Sequence, residues 1–264
     1  MRFDTIKYIG TDLINVPERE LVQYILNEAS TLYSFFNFVV EPAIGPPPRV
    51  GWDYLFFAEI ERVDLGLPPG QPGDIDVLII PTKNGAIVPE YACAIEVKRL
   101  ALRGPNWSKN VDRYGISQAN GLLRCGFPYV GLLHLIISAE GPQENWCDLH
   151  EYRVLDEYGH AEFVREISTD MTGFYAAERQ LARLLQREPH PSIGLNCVAL
   201  SKSHRMDTDN RIWYSISDPA KRLAKRNPWA HPRMIENLKI VGNAMQSCAS
   251  PRPADERRLN RQRS

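Results

Sequence analysis

No stretch of this chain approaches the roughly 18 consecutive apolar residues of a membrane span, and its first ten residues, MRFDTIKYIG, lack the apolar run of a secretory signal. The expectation is a cytoplasmic protein with no membrane partner. Cysteine is scarce and odd in number: Cys93, Cys125, Cys147, Cys197 and Cys248, without CxxC spacing. That favours neither a disulfide framework nor a zinc ribbon, and the expectation is reduced, mostly buried thiols. The six histidines form no HExxH or HxH pattern, which argues against a histidine-built zinc site. There is no internal repeat. An excess of one charge is also missing, since the net charge is −1. Its distribution is uneven, however: residues 1–96 carry 14 acidic and 6 basic side chains (−8), residues 97–264 carry 18 and 25 (+7). Such a chain can present a basic face to a polyanion despite neutral totals.

What is present is a hydrophobic fraction of 44%, ample for a packed interior. Pro17 followed by ERELVQYILNEA reads as a helix, with Leu21, Val22 and Ile25 at helical spacing. The aromatic segment 33–40 reads as extended, and Pro42 to Pro48 as loop. Residues 52–63 fit helix or strand equally. Two strands, 74–80 and 91–98, flank an Asn84-Gly85 hairpin signal. A helix capped by Ser108 runs to about Arg124, then a nearly continuous apolar strand spans 129–138. Weaker strands are expected near 151–155, 162–167, 195–201 and 211–217, with helices over 170–187 and 232–247.

The strands at 74–80 and 91–98 carry charges where burial is expected. Residues two apart in a strand point the same way, so Asp74 and Asp76 share a face, as do Glu96 and Lys98. Ile75, Val77, Ile95 and Val97 then form the packing side. Buried charges are costly unless paired or binding a metal. Two carboxylates from adjacent strands make a hard oxygen site suited to Mg²⁺ or Mn²⁺. A neighbouring ammonium can orient or deprotonate an attacking water, or offset charge developing on phosphorus.

The pieces GDIDVLII and ACAIEVKRL resemble the PD-(D/E)xK nuclease superfamily, especially the G-E-I-D…V-E-V-K form of its resolvase-like members. The likeness covers roughly residues 50–140. It implies a restriction-endonuclease-like core, a mixed central sheet flanked by helices in the order αβββαβ, within an α/β chain. Residues 1–50 would pack a helix and loop on this core, 51–140 would be the core itself, and 141–248 would add α+β elements to the same domain. Residues 249–264 would be a disordered basic tail.

The resemblance further implies a Mg²⁺- or Mn²⁺-dependent endonuclease acting on nucleic acid, DNA in preference to RNA. Asp76 and Glu96 carry over as metal ligands and Lys98 as the catalytic lysine. Asp74, where the family commonly has Glu or a neutral residue, is a further candidate ligand; the alternative is a residue opening its strand. Many members add an acidic residue from the first core helix. If 52–63 is that helix, Glu59 is the candidate, against the alternative of an exposed glutamate. Gln118, four residues after Tyr114, is the candidate to touch the scissile phosphate, and Arg99, Arg103, Lys109 and Arg113 to hold flanking phosphates. His134 is read as a hydrogen-bonded core histidine. A homodimer is expected because many relatives cut two strands as dimers, and a restriction, repair or defence role fits by analogy. Two other readings stand beside this one: a catalytically silent nuclease-fold protein, and a nucleotide-sugar transferase using Asp74-x-Asp76.

Overall fold

Pro17 opens the first helix, its missing N–H and fixed φ suiting an initial turn. The computed structural model describes residues 4–8, 12–27, 32–45, 50–68, 74–103, 115–156, 159–205, 212–217 and 221–248. Helix α1 (Glu18–Asn27) buries Leu21, Val22, Ile25 and Leu26 along one side. Helix α2 (Leu32–Ile44) follows, which corrects the extended reading of 33–40 and places Pro42 to Ile44 in the helix rather than in loop. Its aromatic and β-branched residues favour strand in isolation, but Phe35, Phe36, Phe38, Val39 and Val40 are buried, and packing outweighs a weak propensity. Pro42 cannot donate to the Phe38 carbonyl four residues back; that carbonyl accepts the Ala224 N–H instead, at 2.9 Å.

The ambiguous segment is strand β2 (Trp52–Ile60), followed by a 3₁₀ turn at Arg62–Leu65. Strand β3 (Ile75–Lys83) turns at Asn84-Gly85, with φ of 50° and 82°, into the short β4 (Ala86–Ile87). Two successive positive φ values are what a two-residue hairpin needs. Strand β5 (Cys93–Leu102), helix α3 (Ile116–Arg124) and strand β6 (Tyr129–Ser138) complete this part of the chain. The expected helix start at Ser108 lies outside the described residues.

Beyond it come β7 (Trp146–Val154), β8 (Ala161–Asp170), α4 (Thr172–Gln186), β9 (Ile193–Arg205), β10 (Ile212–Ser217), β11 (Lys221–Arg222) and α5 (Pro232–Cys248). Strand β1 (Asp4–Tyr8), which pairs with β10, is not among the expected elements. The expected disordered tail, 249–264, lies outside the described residues.

The sheet runs β1-β10-β9-β6-β5-β3-β2, with β5, β6 and β9 mutually parallel and the other pairs on this path antiparallel. Residues of α1 and α2 pack on one face, those of α3, α4 and α5 on the other. The chain is thus α/β, a mixed central sheet flanked by helices. All ten residues of β6 are buried, as befits a strand covered on both sides.

The close fit of α2 depends on two glycines. Gly131 of β6 and Gly194 of β9 are register partners. A Cβ on Gly194 would lie 2.8 Å from the Phe38 ring and 3.0 Å from the Ala224 backbone nitrogen. The backbone contact cannot yield as a flexible side chain would. Gly194→Ala is therefore expected to lower stability by about 2 kcal/mol in urea unfolding; an unchanged midpoint would show that α2 packs less tightly than described.

Candidate functional site

The ladder between β3 and β5 is only three residue pairs long: Val77 with Ile95, Leu78 with Ala94, Ile79 with Cys93. Continued one step, it would set Asp76 opposite Glu96. Instead the strands part, and side chains satisfy the edge of β5. The Val97 N–H donates to Asp76 Oδ2 at 2.7 Å. Two residues on, the Arg99 N–H donates to Glu18 Oε2 at 2.5 Å. Two carboxylates thus replace missing strand partners, one from β3 and one from the first turn of α1. A buried backbone donor left bare would cost more than such a bond contributes.

Into this gap Glu96 and Lys98 project. Glu96 is 2% exposed, and its Oε1 lies 2.5 Å from Lys98 Nζ. The two form a close, largely buried ion pair. Glu18 Oε1 is 3.9 Å from the same ammonium. The neighbouring helix leaves room for the lysine: Gly115, at φ 95° before α3, would carry a Cβ 3.3 Å from Lys98 Cγ and 2.5 Å from Leu132 Cδ1. Only glycine allows α3 to begin so close to the lysine stem.

Burial governs the protonation of this group. It pushes Asp76 up to about 6, against the Val97 N–H and the charge of Lys98. Burial and then the charge of Asp76 push Glu96 up to about 7. The two titrate as a pair. For Lys98, burial disfavours the ammonium, but the contact with Glu96 and the charges of Glu96, Asp76 and Glu18 outweigh it, and its pKa rises. Lys98 as placed is therefore a cation at neutral pH, suited to stabilising charge more than to accepting a proton.

The other candidates divide. Gln118 is half-buried on the first turn of α3, on the helix stripe it shares with Gly115 and so on the side facing Lys98. Asp74 is exposed, one residue before β3. Residues 52–60 form a strand, so the condition that made Glu59 a candidate is not met, and its carboxylate pairs with Arg19 of α1 at 2.5 Å. The acidic side chain that α1 brings near Lys98 is Glu18. Arg99 hydrogen-bonds the Ile14 carbonyl through Nη2, and Arg103 Nη2 reaches Ile14 O at 3.3 Å and Asn15 Oδ1 at 2.7 Å. Both fold onto the 3₁₀ turn Leu13–Asn15 instead of forming an open rim. Lys109, Arg113 and Tyr114 lie outside the described residues. His134 is fully buried, its Nδ1 3.3 Å from Gln180 Nε2.

Glu18 was missed because a helix-opening glutamate after proline looks like ordinary helix-end electrostatics. Its one distinguishing signal is its place at the start of a helix that precedes the core strands. Ile75 also departs from expectation: it packs with the α3 side, while Val77, Ile95 and Val97 pack with α1 and α2.

Among the described residues, no group of three or more His, Cys, Asp and Glu side chains is gathered tightly enough to hold a metal ion as placed. Asp76, Glu96 and Glu18 are carboxylate donors, the kind of ligand a hard divalent cation takes. No family model matches the chain, and no match was found among curated proteins or solved structures.

Raised carboxyl pKa values make the metal-free fold bind protons that the unfolded chain does not. That stability is fully present below about pH 4 and is lost as pH rises through 6 to 7. Relative to Glu96→Gln, the wild type should lose on the order of 2 kcal/mol between pH 4 and pH 8 in urea unfolding. Parallel pH profiles would contradict the burial of Glu96.

Proposed function

We propose that this chain is a divalent-metal-dependent nuclease with a restriction-endonuclease-like core, cutting phosphodiester bonds, in DNA by preference. The observation that carries the reading is the meeting of Asp76, Glu96 and Lys98 where β3 and β5 part. Support also comes from element order: helix, β2, β3 with Asp76, β5 with Glu96 and Lys98, then α3 and β6.

Asp76 and Glu96, with Glu18 as a third carboxylate, would hold Mg²⁺ or Mn²⁺. When bound, the ion supplies charge stabilisation to the phosphate and lowers the pKa of water. Lys98, kept cationic by its carboxylate neighbours, stabilises negative charge developing at phosphorus and orients the attacking water by donating to it. With its carboxylate engaged by a cation, Glu96 would give up its contact with Lys98, and the ammonium would then be open to substrate. Gln118 donates an amide N–H to a phosphate oxygen beside the cut. The start of α3 adds backbone N–H groups with the positive end of a helix dipole.

A second reading, a nuclease-fold protein without catalysis, is favoured by the closed Glu96–Lys98 contact. Supercoiled plasmid incubated with Mg²⁺ or Mn²⁺ separates the two. Nicked or linear product is expected from the wild type, with at least roughly a hundredfold loss in Asp76→Ala, Glu96→Ala and Lys98→Ala. Cation binding without cleavage of any DNA or RNA would select the silent reading, and undiminished cutting by Lys98→Ala would remove the lysine's role.

A further inference from the structure

Glu59 has φ of 54°, a left-handed backbone uncommon outside glycine and Asn/Asp-type residues. It sits between two register pairs of the β2–β3 ladder, Ala58 with Val77 and Ile60 with Ile75, and so lies level with Asp76. In a regular antiparallel pair the two carboxylates would face each other directly, which is destabilising. The left-handed residue inverts the alternation at this level. Ala58 packs with the α1–α2 side, whereas Ile60 and its partner Ile75 pack on the opposite face. Glu59 is thereby turned to α1, where Arg19 meets it.

Arg19 is the immediate neighbour of Glu18, whose carboxylate accepts the Arg99 N–H and approaches Lys98. Consecutive helical residues point about 100° apart. With Arg19 tied to β2, Glu18 is aimed at β5. Leu21, Val22, Ile25 and Leu26 dock α1 on the sheet, but apolar contacts are non-directional and leave the rotation of the first turn soft. The ion pair supplies that direction. Local strain maintained at one residue by its surroundings is the kind that accompanies functional geometry.

We propose that the Arg19–Glu59 ion pair is a positioning clamp, set by the left-handed residue at 59, which fixes the first turn of α1 so that Glu18 reaches the gap between β3 and β5. Glu59 is thus a positioning residue and not a cation ligand. The clamp stands on the metal-free structure. Its consequence for cation binding rests on the function proposed above.

Amide hydrogen exchange in the metal-free protein reads the clamp without any catalysis. Arg19→Glu and Glu59→Arg should each speed exchange of the Arg99 N–H by roughly fivefold, the scale of a partly exposed ion pair. Val97, bonded to Asp76, should be unaffected. The double reversal Arg19→Glu/Glu59→Arg should restore Arg99 protection, which a merely structural loss would not do. Glu59→Gly separates backbone from charge, because glycine keeps the left-handed φ without strain; it should fold at least as stably as the wild type and still lose Arg99 protection. Unchanged Arg99 exchange in the single variants, or no recovery in the double variant, would overturn the clamp. Mn²⁺ titration of the same variants is expected to show affinity falling and recovering in step with Arg99 protection. A wild type that binds no Mn²⁺ while exchange follows the clamp pattern would sink the proposed function and leave the clamp standing.

Discussion

The hydrogen bond from the Val97 N–H to Asp76 marks where β3 and β5 stop pairing, although β5 goes on pairing with β6. Up to that level β3 and β5 satisfy each other's backbone. Past it they part, and the edge of β5 must find other acceptors, because buried N–H groups are rarely left bare. Carboxylates from β3 and α1 serve this need. The local failure of strand pairing therefore concentrates negative charge at one point of an otherwise apolar interior, and Lys98 is drawn in as the counter-charge.

That concentration works against stability. Carboxyls pushed toward 6 and 7 are destabilised as anions, and the protein tolerates this because apolar packing on both faces of the sheet is extensive. Under the proposed function a cation would offset both the desolvation and the mutual repulsion of Asp76 and Glu96, so the feature that costs stability would also favour binding.

The core strands and the charged positions were legible in the sequence because apolar runs and the Asn84-Gly85 hairpin signal frame them, which puts Asp76, Glu96 and Lys98 on strands. Other features were not. The α2 segment reads as strand by propensity, and only its tertiary burial makes it helix. Glu18 is an unremarkable helix-opening residue until β5 is seen beside it. Glu59 lies in a segment whose pattern fits helix or strand; it occupies a strand whose alternation it inverts, and nothing in the one-dimensional pattern signals a left-handed glutamate. Arg99 and Arg103 likewise looked like phosphate contacts, since a sequence does not show that a turn at 13–15 will occupy their donors.

The central claim is that paired, partly protonated carboxyls form a divalent-cation site at the parting of β3 and β5. Calorimetric titration of the protein with Mn²⁺ near pH 6.5, repeated in buffers of different ionisation enthalpy, tests it most directly. The account predicts one bound ion, release of about one proton on binding, and loss of both signals in Glu96→Gln. Absence of binding, or binding with no proton release that survives Glu96→Gln, would contradict it.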